Sequence, residues 1–232
     1  MSNSSRSEMF AKIRHGTRGA PADSIAHELA SLGVAPSAPL PCPELCTAFL
    51  TNVLLNQGTI DCASDRSAAV KSVGSYLYTH YRSHRLVAGN DPRLAAMPWR
   101  DAGVLPRFGA IEAGESVALS FARLAVAELG AITTFTGKAN PAANNLLAEH
   151  HIVLVDVADL VPDMEAAWER IAEDLSESGR PRGINFIAGP SSTADIEGQL
   201  VYGAHGPHSW HIILTGEVPE NAVEEARSLA GQ

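Results

Sequence analysis

From residue 45 onward the apolar positions repeat with two different periods. Leu45, Phe49, Val53 and Leu54 fall on one helical stripe, and the short run "TIDCA" behind them reads as a strand. In "DRSAAVKSVGSYLYTHYRSH", Val70, Val73, Leu77 and Tyr81 line one face and Asp65 stands at the N-cap, so this is a second helix. "RLVAG" then ends in a loop signal. Beyond it come the strand candidates "SVALSFARLAVA", "AITTFTG", "HIVLVDV", "GINFIAG" and "WHIILTG". Between the third and fourth of these lies "VPDMEAAWERIAEDLSESG", a helix with Pro162 in its first turn and Gly179 at its end. The tail "PENAVEEARSLAGQ" is a last helix.

Ahead of this block, "SEMFAKIRHG" and "ADSIAHELASLG" read as two short helices, the second capped by Asp23 or Ser24 and stopped by Gly33. Residues 34–43, "VAPSAPLPCP", hold four prolines and form a connector. A run such as "HIVLV", apolar on both faces, suits a sheet covered from both sides, and "HIVLVDV", helix, "GINFIAG" reads as a crossover unit. The expected fold class is therefore α/β: a mostly parallel central sheet flanked by helices, with a helical N-terminal segment at 1–34 and the α/β domain at 44–232.

Charge narrows the function. Lys plus Arg number 17 against 26 Asp plus Glu, a formal net charge of −9, the wrong balance for a protein that neutralises phosphates along a duplex. Nucleic acid is not an expected partner. The start "MSNSSRSEMFAKIRHG" has no apolar signal region, and "AFLTNVLL" and "HIILTG" fall far short of the ~20 residues of a membrane span. A cytoplasmic protein with no membrane partner is expected. Three cysteines, Cys42, Cys46 and Cys62, fit a reducing compartment. The i, i+4 pair in "CPELC" has no second cluster to complete a metal site, so these thiols read as small buried residues and no metal is expected.

The densest chemistry lies in "GPSSTADIEGQLVYGAHGP", Gly189 to Pro207. "INFIAG" delivers the chain into it from a strand, and in open α/β sheets ligands bind outside the carboxyl ends of strands. Gly189 allows backbone to approach a ligand, while Ser191, Ser192 and Thr193 offer hydroxyls and free N–H groups to a phosphate or carboxylate. The run is neither a P-loop nor G-x-G-x-x-G, and no lysine follows Lys138. Asp195 and Glu197, two apart, either share acid/base work or open a short helix as cap and first turn. His205, between Gly203 and Gly206, is a candidate acid/base or a hydrogen-bonding partner for those carboxylates. His208 and His211 follow without a helical ligand spacing. Farther upstream, Glu128 in "AVAELGAITTFTG" sits among apolar neighbours, either paired and functional or at an exposed turn before Gly130. Asn140, Asn144 and Asn145 either read a polar ligand or make turns. Glu149, His150 and His151 are an ordinary helix end before a strand.

These residues resemble the LUD-domain family, the lactate utilization protein C group. That family carries Gly-Pro-Ser-x-Thr-Ala-Asp-Ile-Glu and then Gly-x-His-Gly-Pro, which here fall on Gly189, Pro190, Ser191, Thr193, Ala194, Asp195, Ile196 and Glu197, then Gly203, His205, Gly206 and Pro207. "AELG" and "LLAEHHIVLV" are similar to its middle, and "MFAKIR" to its first helix. Leu129 stands where the family usually has Thr. The resemblance implies a fold similar to the NagB/RpiA/CoA-transferase group. It also implies a part in oxidising L-lactate to pyruvate beside iron–sulfur proteins. This chain lacks the cysteine-rich runs that clusters need, so the clusters belong to partner subunits and no cofactor is evident in the chain itself.

Two functions follow. One is a subunit of a lactate-oxidising complex, part of an oxidoreductase, whose loop docks a partner or a small anion. The other is a stand-alone enzyme of the CoA-transferase, sugar-phosphate isomerase or folate cyclo-ligase type. Glu128, Asp195, Glu197 and His205 are the catalytic candidates, with Glu128 a nucleophile by fold analogy. Gly189, Ser191, Ser192, Thr193, Gly203 and Gly206 are the ligand-binding candidates.

Overall fold

A computed structural model describes residues 3–16, 21–33, 38–194 and 200–232. The chain forms two compact units, Met1–Pro36 and Ser37–Gln232. The first holds helices α1 (Asn3–Gly16) and α2 (Ala22–Ser31). Pro21, not Asp23 or Ser24, occupies the N-cap of α2, and no side chain caps it. A proline whose φ already suits the helix start, and whose missing N–H needs no partner, displaces the polar cap.

The second unit runs α3 (Leu45–Leu55), β1 (Thr59–Ala63), α4 (Arg66–Tyr81), β2 (Arg85–Ala88), α5 (Pro92–Ala95), β3 (Leu105–Phe108), β4 (Val117–Phe121), β5 (Leu124–Val126), β6 (Ala131–Thr136), α6 (Ala142–Leu146), β7 (His150–Asp156), β8 (Leu160–Val161), α7 (Met164–Ser178), β9 (Gly183–Ile187), β10 (Ser192–Ala194), β11 (Leu200–Tyr202), β12 (Ser209–Thr215) and α8 (Ala222–Leu229). Asp65 caps α4 as expected, but Pro162, expected in the first turn of α7, stands ahead of the helix, because the Asp163 side chain takes the N-cap. The carboxylates of Glu44, Asp65 and Asp163 accept the first free N–H groups of α3, α4 and α7.

Six strands form the central sheet in the order β1-β12-β7-β4-β2-β3, every pair parallel. Its faces alternate. Ile60, Val153, Val155, Trp210, Ile212 and Leu214 pack with Phe49, Leu50 and Val53 of α3 and Ala222 and Ala226 of α8. The intervening Leu86, Leu119, Ile152, Leu154 and Ile213 pack beneath Val70, Val73 and Leu77 of α4 and beside Leu94, Met97 and Trp99. Burial on both sides is what the unbroken apolar strands require.

Two expectations are corrected. "SVALSFARLAVA" is not one strand: β4 stops at Phe121, and the chain bends through Ala122 and Arg123 into β5 of a second, four-stranded sheet, β8-β5-β6-β9. Arg123 anchors the bend through Asp174 at 2.6 Å and Asp159 at 3.0 Å. The proposed crossover from "HIVLVDV" to "GINFIAG" also fails. β7 lies in the parallel sheet, whereas β9 runs antiparallel to β6 in the second sheet. Hydrophobic periodicity does not say which sheet a strand joins.

The two sheets are stitched by a buried polar chain. Ser120 Oγ donates to Asn145 Oδ1 at 3.0 Å, and Asn145 Nδ2 donates to Thr134 Oγ1 at 3.0 Å. His151 Nε2 lies 3.0 Å from Ser120 Oγ. Asn145 is thus a strut between β4 and β6. Among the described residues no helix is long and apolar enough to cross a membrane.

Candidate functional site

Because β12 is a parallel strand of the central sheet, everything just before Ser209 lies at the sheet's amino edge. The loop from Gly189 to Pro207 therefore does not project from the carboxyl ends, where the sequence placed it. The structure sets the loop's described residues, 189–194 and 200–207, across the amino ends of β7 and β12: His208 N and Ser209 N both donate to Glu149 O, at 2.7 and 3.2 Å. Its stem is closed by Ser191 N donating to Pro207 O and Gly203 N to Ser191 O, both 2.8 Å. Between these bonds β10 and β11 form a small antiparallel ladder, Ser192 opposite Tyr202 and Thr193 opposite Val201. Asp195 and Glu197 lie outside the described residues.

The loop's glycines answer to steric needs. Gly189 has φ +97° and lies against Asn56 O, and Gly203, with φ +73°, lies against the His208 ring. Gly206 packs near Ser191, where an added Cβ would come within 3.0 Å. Ser191, Gly203 and Gly206 thus build the loop's own base. Ser192, Thr193 and His205 are exposed. His205 borders a shallow cavity of about 480 Å3 walled by Leu146, Leu147, Glu149 and His208. Leu146 and Leu147 are 53% and 70% exposed. Such an open, half-apolar surface does not exclude water as a closed catalytic site does.

Imidazoles gather beside it. His211 Nδ1 lies 2.8 Å from Thr59 Oγ1, and its ring stacks on Tyr76 at 4.3 Å. Tyr76 in turn meets His80 at 4.3 Å. His150 meets Tyr81 edge-on at 4.4 Å. Burial lowers His150 to about 4, with His80 and His208 adding to the effect, and burial likewise brings His211 to about 4. The His150 and His211 rings are neutral at neutral pH. Among the described residues no three His, Cys, Asp or Glu side chains are grouped to hold a metal ion. Burial pushes the Cys46 thiol up to about 11 and Cys62 to about 12, so both stay protonated.

Glu128 lies in the turn between β5 and β6 and borders none of the cavities described here. Its Oε1 accepts from Ala38 N at 2.5 Å and its Oε2 from Met164 N, the first residue of α7, at 3.3 Å. Asn52 holds the same turn through Ala127 O and Glu128 O, and Asn56 through Leu129 O. Gly130, at φ +57°, sits against Asn52 and Val53 so closely that no side chain fits. In this setting the carboxylate orders three chain segments.

At the opposite edge lies a crevice that the sequence did not suggest. Ser64, Asp65 and Arg66 after β1, Arg93 and Met97 after β2, Phe121 of β4, Asp156 of β7 and Thr215 and Gly216 of β12 enclose about 180 Å3. They come from five strand ends scattered between residues 64 and 216, so only the strand order brings them together.

A doubly covered parallel sheet with a glycine-rich loop folded over its amino edge is an α/β architecture rather than an enzyme class. The family model described as the LUD domain matches residues 113–215, which include the whole loop. Over that stretch the chain is similar to the LUD-domain family. Among its relatives, "Lactate utilization protein C" of an Exiguobacterium species is 29% identical over 156 residues, 63% of this chain and 68% of that protein. Proteins of the same name from Geobacillus kaustophilus and Bacillus subtilis are 38% identical over 109 residues and 34% over 103. The matched part spans under half the length of these two, 45% and 43%. A solved DUF162 family protein from Deinococcus radiodurans shares the fold, with a TM-score of 0.55 at 18% identity over 74% of this chain and 96% of that one.

Proposed function

We propose that this chain serves lactate utilization as a subunit of a system that oxidises L-lactate to pyruvate with iron–sulfur partner proteins. The carrying observation is the LUD-domain match at 113–215, in company with relatives named lactate utilization protein C. Oxidation of the lactate C–OH to C=O releases two electrons and two protons. In this reading clusters of the partner proteins would take up the electrons, and solvent the protons.

The amino-edge loop is the docking face for those partners. An exposed imidazole at His205 and the apolar pair Leu146 and Leu147 share one open surface, and Ser192 and Thr193 are exposed on the same loop. Asp195 and Glu197 add carboxylates to the same loop.

The test is growth. A host lacking this gene should fail on L-lactate as sole carbon source and still grow on pyruvate, with wild-type chain restoring growth. His205→Ala and Asp195→Ala, expressed as folded protein, should restore it poorly. Undiminished growth of the deletion strain on L-lactate overturns the role. Full restoration by both variants overturns the docking face.

A further inference from the structure

We propose that the carboxyl-edge crevice binds a small 2-hydroxy carboxylate. The class of ligand builds on the lactate reading above, while the site stands on its own geometry.

The first argument is topological. From β1 the chain leaves to α4 on one face of the sheet, and from β2 to α5 on that same face. From β12 it leaves to α8, and from β4 to the second sheet, both packed in the cluster on the other face. Where neighbouring strands send their connections to opposite faces, a crevice opens at their carboxyl ends, and ligands of open α/β sheets bind there. The enclosed 180 Å3 is smaller than the roughly 300–1,000 Å3 of drug-sized sites, so the occupant is a small molecule.

The second argument is a charge out of place. Arg66 is the first residue of α4, a 16-residue helix whose dipole disfavours a cation there. Among the described residues it has no carboxylate within salt-bridge distance, and it is exposed at the crevice wall. Local helix chemistry gives no reason for it; an anionic ligand does. The other guanidinium, Arg93, is fixed by Asp91 through Nε and Nη2 at 3.1 and 2.7 Å, approaches Asp159 at 3.9 Å, and lies 3.8 Å above the Phe121 ring.

Each carboxylate on the wall has one of its two oxygens engaged. Asp65 Oδ1 accepts from Ala68 N at 2.8 Å, and Asp156 Oδ1 accepts from Ala158 N at 2.9 Å. The second oxygen of Asp156, like that of the exposed Asp65, makes no hydrogen bond among the described residues. A ligand with a carboxylate for Arg66 and an adjacent hydroxyl that donates to Asp156 satisfies both. A 2-oxo acid has no such donor and meets Asp156 with a lone pair instead.

Titration calorimetry on the full chain with L-lactate, pyruvate and inorganic phosphate tests this. Saturable binding is expected, L-lactate tighter than pyruvate, with Arg66→Ala weakening both about tenfold or more. Asp156→Asn should narrow the preference for L-lactate over pyruvate. Arg180→Ala, an exposed arginine outside the crevice, should change nothing. Circular dichroism confirms that each variant is folded, and Arg66, being exposed, is the safer of the two site substitutions. No saturable binding, binding indifferent to Arg66→Ala, or phosphate preferred over both acids overturns the proposal. Absent binding with lactate growth still dependent on the gene refutes the crevice alone. Binding with growth independent of the gene refutes the lactate role alone.

Discussion

Acid should unfold this protein earlier than its carboxylates require, because of three histidines on two neighbouring strands. His151 is fully buried and His211 nearly so, and burial holds each at about 4 against an ordinary value of 6.5. His150 is also held at about 4 but is only half-buried. The folded values lie below the unfolded ones, so in this window the unfolded chain binds the extra protons. The stabilisation is complete above pH 6.5 and is lost as pH falls from there toward 4. From pH 7 to pH 5 each fully buried ring contributes a loss of about 2 kcal/mol, and His150 less, because solvent reaches it. His151 and His211 together therefore remove about 4 kcal/mol from a total that for most domains is only about 5–15. Glu44 and Glu115, held below the usual carboxylate range by hydrogen bonds that outweigh burial, lose their contribution only at lower pH. Urea unfolding at pH 7 and pH 5 measures the difference, and His211→Gln should shrink it by about 2 kcal/mol. Equal unfolding free energies at the two pH values would refute the reasoning.

Other substitutions probe separate joints. Asn145→Ala removes one hydrogen-bond partner from each of the buried Ser120 and Thr134 hydroxyls and should cost about 1–3 kcal/mol in urea unfolding; a loss under about 0.5 would deny the strut between the sheets. Gly130→Ala puts a methyl group into the α3 backbone at a positive φ and should cost about 2 kcal/mol or more, read as a drop in Tm of several degrees. Asp163→Ala removes the cap of α7 and should cost about 1 kcal/mol by the same assay.

The sequence was most legible where one element explains its own residues. Asp65 caps a helix that periodicity also marks, and the continuous apolar strands announced a sheet buried on both faces. It was least legible where partners lie far apart along the chain. The break at Ala122 is set by Arg123 meeting Asp159 and Asp174, 36 and 51 residues away. The edge strand β3, in "LPRF", carries a proline and too few apolar residues to declare itself. Glu128 announced itself as a carboxylate among apolar neighbours, but its partners, Ala38 N and Met164 N, are backbone groups that no motif reveals.

The placement of the loop shows how a sound rule was applied to the wrong strand. The rule that ligands gather at carboxyl ends was attached to "GINFIAG", which leads into the loop; what fixes the loop's position is the strand it leads out to. Since "SWHIILT" pairs in parallel on both sides, with β1 and with β7, the residues ahead of it must stand at the amino edge. Applied instead to the strands that do form the parallel sheet, the rule leads to Ser64, Phe121, Asp156 and Thr215, none of which carries a recognisable motif. The conspicuous loop and the inconspicuous crevice thus occupy opposite ends of one sheet. A subunit that holds a small acid at one edge and meets its redox partners at the other would need the electrons to cross the strands between them, through a core of aliphatic side chains. Partners that take electrons directly from a ligand in the crevice must therefore reach the carboxyl edge as well. Binding of L-lactate in the crevice together with docking confined to the amino edge would make this chain a carrier or sensor of lactate rather than the place where it is oxidised.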